Sequence, residues 1–218
     1  MITATRFLEQ FNKFVHESKA QFTPDSWKDS SGWLNALIGP ASAAVDKSPL
    51  GKHLKDNLDP NLRSRTEEWK IDLVLSAHEN ALRYDIQTGD PERLLAFQPV
   101  LYDILIEHEN SIGLSYQEML KLVYMRARLK VLITYTFDSD GSDEQEQRAL
   151  DAIIHARKQF DRMVNDSNAN YPENPATEYV FIVGWLISGS EDPKARINWA
   201  MFRRNARGKF ESVQFPKS

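Results

Sequence analysis

Apolar residues near the start of the chain recur every three or four positions. Phe7, Leu8, Phe11, Phe14 and Val15 predict an amphipathic helix over residues 3–21, capped by Thr5. From Pro24 to Pro60, aromatic and aliphatic pieces around Trp27, Trp33 and Leu37 alternate with breakers at Gly39-Pro40, Ser48-Pro49 and Asp59-Pro60, which predicts short helices joined by tight turns. The period then shortens. Trp69-Lys-Ile-Asp-Leu-Val-Leu75 is a run of strand formers and is expected to be the first strand. Residues 78–99 carry no clear period, and an edge strand around Arg93 to Phe97 is one reading of them.

Val100 to Glu109 reads as a second strand that turns acidic at its end, followed by a loop over 110–114. Ser115, with Glu118 three residues on, has the form of a capping box and opens a helix to Ala127, with Met119, Leu120, Val123 and Tyr124 on its apolar face. Arg128 to Phe137 is the next strand, and strand, helix, strand at this length implies a crossover between parallel strands. After a turn at Asp138 to Gly141, Ser142 and Gln145 form another capping box. The helix they open runs to about Val164, with Leu150, Ile153, Ile154, Phe160 and Met163 as its core face. Tyr179 to Leu186 is a buried strand, and Ile197–Arg203 with Lys209–Phe215 is a hairpin closed by Asn205-Ala-Arg-Gly208. The fold class is α/β, with a central mixed sheet flanked by helices.

A length of 218 residues suits a single domain. Its expected parts are a helical region over 1–65, a core over 66–137, and a helix with C-terminal strands over 138–218. Cysteine is absent, which excludes disulfides, thiolate metal sites and thiol nucleophiles, and the expected location is the cytoplasm. The start of the chain has Arg6 and Glu9 within its apolar pattern, unlike a signal peptide or membrane span, so no membrane partner is expected. A net charge of −4 argues against a polybasic nucleic-acid binder but is compatible with an enzyme that joins an acidic metal site to a local basic patch.

The most informative segment is Tyr102-Asp-Ile-Leu-Ile-Glu-His-Glu-Asn110. Residues two apart on a strand share a face at a separation of roughly 6.6 Å, so Glu107 and Glu109 point one way and His108 the other. Asp103 has the parity of Glu107 but lies roughly 13 Å along the strand, too far to share an ion. A hard cation such as Mg2+ takes one or two carboxylates plus waters. The better partner is Asp72, the single acid inside an apolar strand, where an uncompensated charge would be costly.

An Asp on one strand, Glu-x-Glu on the next, then a helix and a further strand resembles the PD-(D/E)XK nuclease superfamily, in particular its Glu-x-Glu branch among restriction endonucleases. The resemblance covers about residues 66–137. It implies a restriction endonuclease-like fold, Mg2+ (or Mn2+) as cofactor, DNA as substrate and a homodimer as the assembly. In it, Asp72, Glu107 and the backbone carbonyl of His108 would hold the metal. Glu109, standing where the motif usually has Lys, would orient or deprotonate the attacking water, and Lys121 on the following helix would be a displaced motif lysine.

Other chemistries find no support. The five His show no HExxH spacing, and GxGxxG, Walker and Gly-x-Ser-x-Gly patterns are absent. Arg203, Arg204, Arg207 and Lys209 cluster around the last hairpin beside Trp199 and Phe202 and are the expected nucleic-acid-binding residues. Arg126, Arg128 and Lys130 form a second basic group that could border the same cleft. The alternative function is a non-catalytic partner-binding or regulatory protein that keeps a nuclease-like fold.

Overall fold

The computed structural model describes residues 2–18, 30–39, 47–68, 71–77, 102–136, 142–186, 197–205 and 207–215. The possible edge strand at 93–97, the turn at 138–141 and Trp69 lie outside these residues. Among the described residues, a seven-stranded mixed sheet forms the middle layer, and its spatial order repeats the chain order. The strands are β1 (Arg63–Glu68), β2 (Ile71–Ser76), β3 (Tyr102–Glu109), β4 (Ala127–Tyr135), β5 (Glu178–Leu186), β6 (Ile197–Arg204) and β7 (Phe210–Val213). The three in the centre, β3, β4 and β5, run parallel, whereas β1, β2, β6 and β7 join the sheet antiparallel.

Helices cover both faces. On one side lie α1 (Ala4–Glu17), α2 (Ser30–Leu37) and α3 (Pro49–Asn57), whose apolar residues, including Phe7, Phe11 and Leu54, pack with Leu73, Ile106 and Val131 of the sheet. On the other lie α4 (Ser115–Tyr124) and α5 (Asp143–Asn170), with Met119, Leu122 and Phe160 packed on Leu105, Leu132 and Phe181. Each face therefore has its own core, the arrangement expected where parallel strands need cover on both sides. Among the described residues, no helix is long and apolar enough to cross a membrane.

Local chemistry sets the boundaries, in places differently from the sequence pattern. Thr3, not Thr5, caps α1, its side chain accepting from the Arg6 N–H at 3.3 Å. Ser48 and Pro49 open α3 as a cap and first helical residue. The expected first strand is in fact the second. β1 precedes it with the sequence Arg-Ser-Arg-Thr-Glu-Glu, whose polar residues suit a sheet edge, with the small Ser64 and Thr66 turned inward.

The box expected at Ser115 does not form. Leu114 is the N-cap of α4 without a side-chain bond, and the Ser115 hydroxyl donates back to the Ile112 carbonyl at 2.7 Å. Leu120 and Tyr124, expected on the apolar face, lie exposed, while Leu122 joins Met119 in the core. Similarly, α5 is capped by Ser142 as expected but runs on to Asn170. It buries Ala149, Ala156 and Val164 beside Ile153 and Phe160, leaving Leu150 and Ile154 exposed. The β6–β7 hairpin closes through Gly208 at φ +74°, a conformation that favours glycine.

Candidate acidic centre

Two strands bring the key carboxylates together. β2 and β3 are antiparallel neighbours with Leu73 opposite Ile106, a register that sets Asp72 across from Glu107. At this level the Asp72 carboxylate accepts the backbone N–H of His108 at 2.7 Å. A strand residue directs its N–H and C=O to the same edge, so the His108 carbonyl also lies on the Asp72 side. The His108 ring points to the opposite face, where Nε2 lies 3.0 Å from the Tyr135 hydroxyl and burial pushes the imidazole down to about 4.

Glu107 is wholly buried, and its Oε1 forms an ion pair with Lys121. Burial, reinforced by the negative charges of Asp72 and Glu118, pushes its carboxyl up to about 10, with Lys121 opposing. Lys121 reaches over from α4, its Nζ 3.4 Å from Glu107 Oε1 and in closer contact with Glu118 Oε2. Burial lowers Lys121, but its hydrogen bond to Glu118 and the charges of Glu107, Glu118 and Asp72 outweigh that and hold its ammonium above the ordinary range. Asp72, Glu107, Glu118 and Lys121 thus form one electrostatic group built from β2, β3 and α4.

Glu118 is the member that sequence reasoning placed elsewhere, in a helix cap. The available signal was its spacing: three residues before Lys121, it shares that residue's helix face. Glu109 sits at the strand end, half-buried, where Oε1 accepts the Ser111 N–H at 3.0 Å and so secures the turn into α4. Asp103 is occupied as well, accepting from the Ala77 N–H at 2.8 Å and facing Arg128 at 3.6 Å.

The basic residues are dispersed. Arg203 lies across from Val180 near the start of β5, and its Nη1 donates to Thr5 Oγ1 at 2.6 Å. Arg204 donates to Asn165 Oδ1 of α5, while Arg207 and Lys209 are exposed in the turn. The turn leaves the sheet at the end where β3, β4 and β5 begin, whereas Glu107 and Glu109 lie toward the end where β3 finishes. Three strand spacings, about 14 Å, also separate β3 from β6. Lys130 does not border the acidic group: it is fully buried and pairs with Glu173, its Nζ also donating to the Tyr179 hydroxyl at 3.2 Å.

Among the described residues, no three His, Asp or Glu side chains converge as a ready-made metal cage. The Asp72–Glu107 pair is nonetheless a chemically suitable donor set for a hard cation, which commonly takes two carboxylates and completes its shell with water. The wholly buried Glu107 carboxyl is the donor whose burial a cation would compensate. Searches against family models, curated proteins and solved structures find no match to this chain.

Proposed function

We propose that this protein is a metal-dependent nuclease with a restriction endonuclease-like fold, hydrolysing DNA phosphodiester bonds at the Asp72–Glu107 centre. The observation that carries this reading is the placement of Asp72 and Glu107 opposite each other on neighbouring strands, with the buried Glu107 carboxyl between Asp72 and Lys121. The parallel β3–α4–β4 crossover behind them supports it further.

In this reading Asp72, Glu107 and the His108 carbonyl hold Mg2+ or Mn2+. A cation bound there supplies charge stabilisation at the scissile phosphate and a more acidic water. The His108 N–H fixes the Asp72 carboxylate toward β3, so that donor is oriented before any ligand arrives. Lys121 is the side chain placed to orient water or meet phosphate charge beside Glu107, in keeping with a displaced motif lysine. Glu109 is the second candidate for that work, acting from the strand end with one oxygen engaged by Ser111. Arg207 and Lys209, with Arg203 and Arg204 behind them, would touch substrate backbone away from the scissile bond. A cytoplasmic homodimer is part of the same proposal.

Plasmid cleavage with Mg2+ or Mn2+ tests it. Wild type should nick or linearise the DNA, and Glu107→Ala should not; equal nicking by both would remove this centre from the reaction.

One observation favours a second reading, a non-catalytic protein that binds a partner. Tyr116, Leu120 and Tyr124 of α4 and Leu150 and Ile154 of α5 are exposed on helices that pack together. Plasmid left intact with either metal, together with a protein complex lost on Leu120→Ser, would favour this alternative.

A further inference from the structure

We infer that Glu118 is a positioning residue of the acidic centre, holding the Lys121 ammonium beside Glu107. The inference rests on the nuclease reading and extends it to a residue of α4 that the strand motif does not contain.

Three observations carry it. First, the N-cap of α4 is Leu114, which makes no side-chain cap bond, so the Ser115–Glu118 capping box is not formed. Second, the Glu118 side chain is only 13% exposed, unlike an ordinary helix-surface acid, and it contacts Lys121 Nζ directly. Third, the same Nζ lies 3.4 Å from Oε1 of the wholly buried Glu107. Two carboxylates from different elements therefore share one ammonium.

An exposed Glu–Lys pair three residues apart on a helix normally contributes little and leaves both side chains mobile. Here the Lys121 side chain is 37% exposed and has a long flexible stem, so the Glu118 contact narrows the rotamers it samples. The Glu118 contact selects the arrangement that points into the centre. Removing the carboxylate charge should release Lys121 while leaving Asp72 and Glu107 in place on their strands.

The test compares wild type, Glu118→Gln, Glu118→Asp, Lys121→Gln and the Glu118→Gln/Lys121→Gln double variant, all as full-length chains. Amine acylation of the metal-free protein, read by mass spectrometry, reports the contact without any reaction. Lys121 should label about fivefold faster in Glu118→Gln than in wild type, with exposed Lys158 unchanged as an internal control. In Mg2+-dependent plasmid cleavage, Glu118→Gln should lower kcat about tenfold with KM for DNA nearly constant, and Glu118→Asp should recover part of the loss. Because Glu118 acts through Lys121, the double variant should be no slower than Lys121→Gln alone. Unchanged labelling of Lys121, or multiplicative losses in the double variant, would overturn the inference. Wild type that cleaves no DNA would sink the nuclease reading, and labelling would still decide whether Glu118 holds Lys121.

Discussion

The backbone N–H of His108 donates to the Asp72 carboxylate at 2.7 Å, so a side chain of β2 bonds to the β3 main chain beside Glu107. That bond ties the position of one acid to the backbone carrying the next. Asp72→Ala should therefore have two effects that Asp72→Asn separates. Alanine leaves the His108 N–H without this acceptor and should cost about 1–2 kcal/mol, measured by urea unfolding. Asparagine keeps an acceptor oxygen and should cost less. Both should weaken Mn2+ binding by tenfold or more in calorimetric titration.

Glu107 imposes a stability cost that depends on pH. Its folded carboxyl is pushed up to about 10 against an ordinary 4.5, so between those values the folded state keeps a proton that the unfolded state releases. Stability then falls as pH rises through this window, by at most about 1.4 kcal/mol per unit. Glu107→Gln should melt higher than wild type without metal, with the gap wider at pH 8 than at pH 5, and should lose Mn2+ affinity. A variant less stable than wild type at pH 8 would contradict this account of the buried acid.

His108 acts in the opposite direction. Its folded value near 4 lies below the unfolded 6.5, so its contribution is complete above pH 6.5 and is lost as pH falls toward 4. The total is about 3 kcal/mol. His108→Gln should flatten this part of the acid unfolding curve, and a slope unchanged between pH 6.5 and 4 would exclude His108 as its source.

The buried Lys130–Glu173 pair should respond asymmetrically to mutation. Glu173→Ala leaves a fully buried ammonium without its counter-charge and should cost about 3 kcal/mol or more. Lys130→Met replaces the amine with an apolar chain of similar length and leaves Glu173, which is partly exposed and bonded by the Tyr179 hydroxyl. It should cost clearly less in urea unfolding, and equal losses would mean that pairing is not the dominant factor.

The parts of the centre legible in sequence were the charges that interrupt apolar strands. Asp72 and Glu107 stood out because their neighbours, Leu73 to Leu75 and Ile104 to Ile106, are wholly aliphatic. β1 was hidden because Arg63 to Glu68 has no apolar alternation; its place at the edge lets polar residues form a strand. Glu118 was hidden for a different reason. Its place three residues after Ser115 matched a capping box, but the Ser115 hydroxyl bonds Ile112 instead, and Glu118 turns to Lys121. The separation of the Arg203–Lys209 hairpin from the acids depends on strand order, which local pattern does not encode.

The identity of strand order and chain order has a bearing on assembly. Each strand docks against the one made just before it, so a growing chain can extend its sheet from β1 to β7 without waiting for a distant segment. The first helix is the exception, because its Ala4 amide donates to Glu178, 174 residues later. Helix α1 can thus pack on α3 before β5 exists, but its face closes only once β5 is in place.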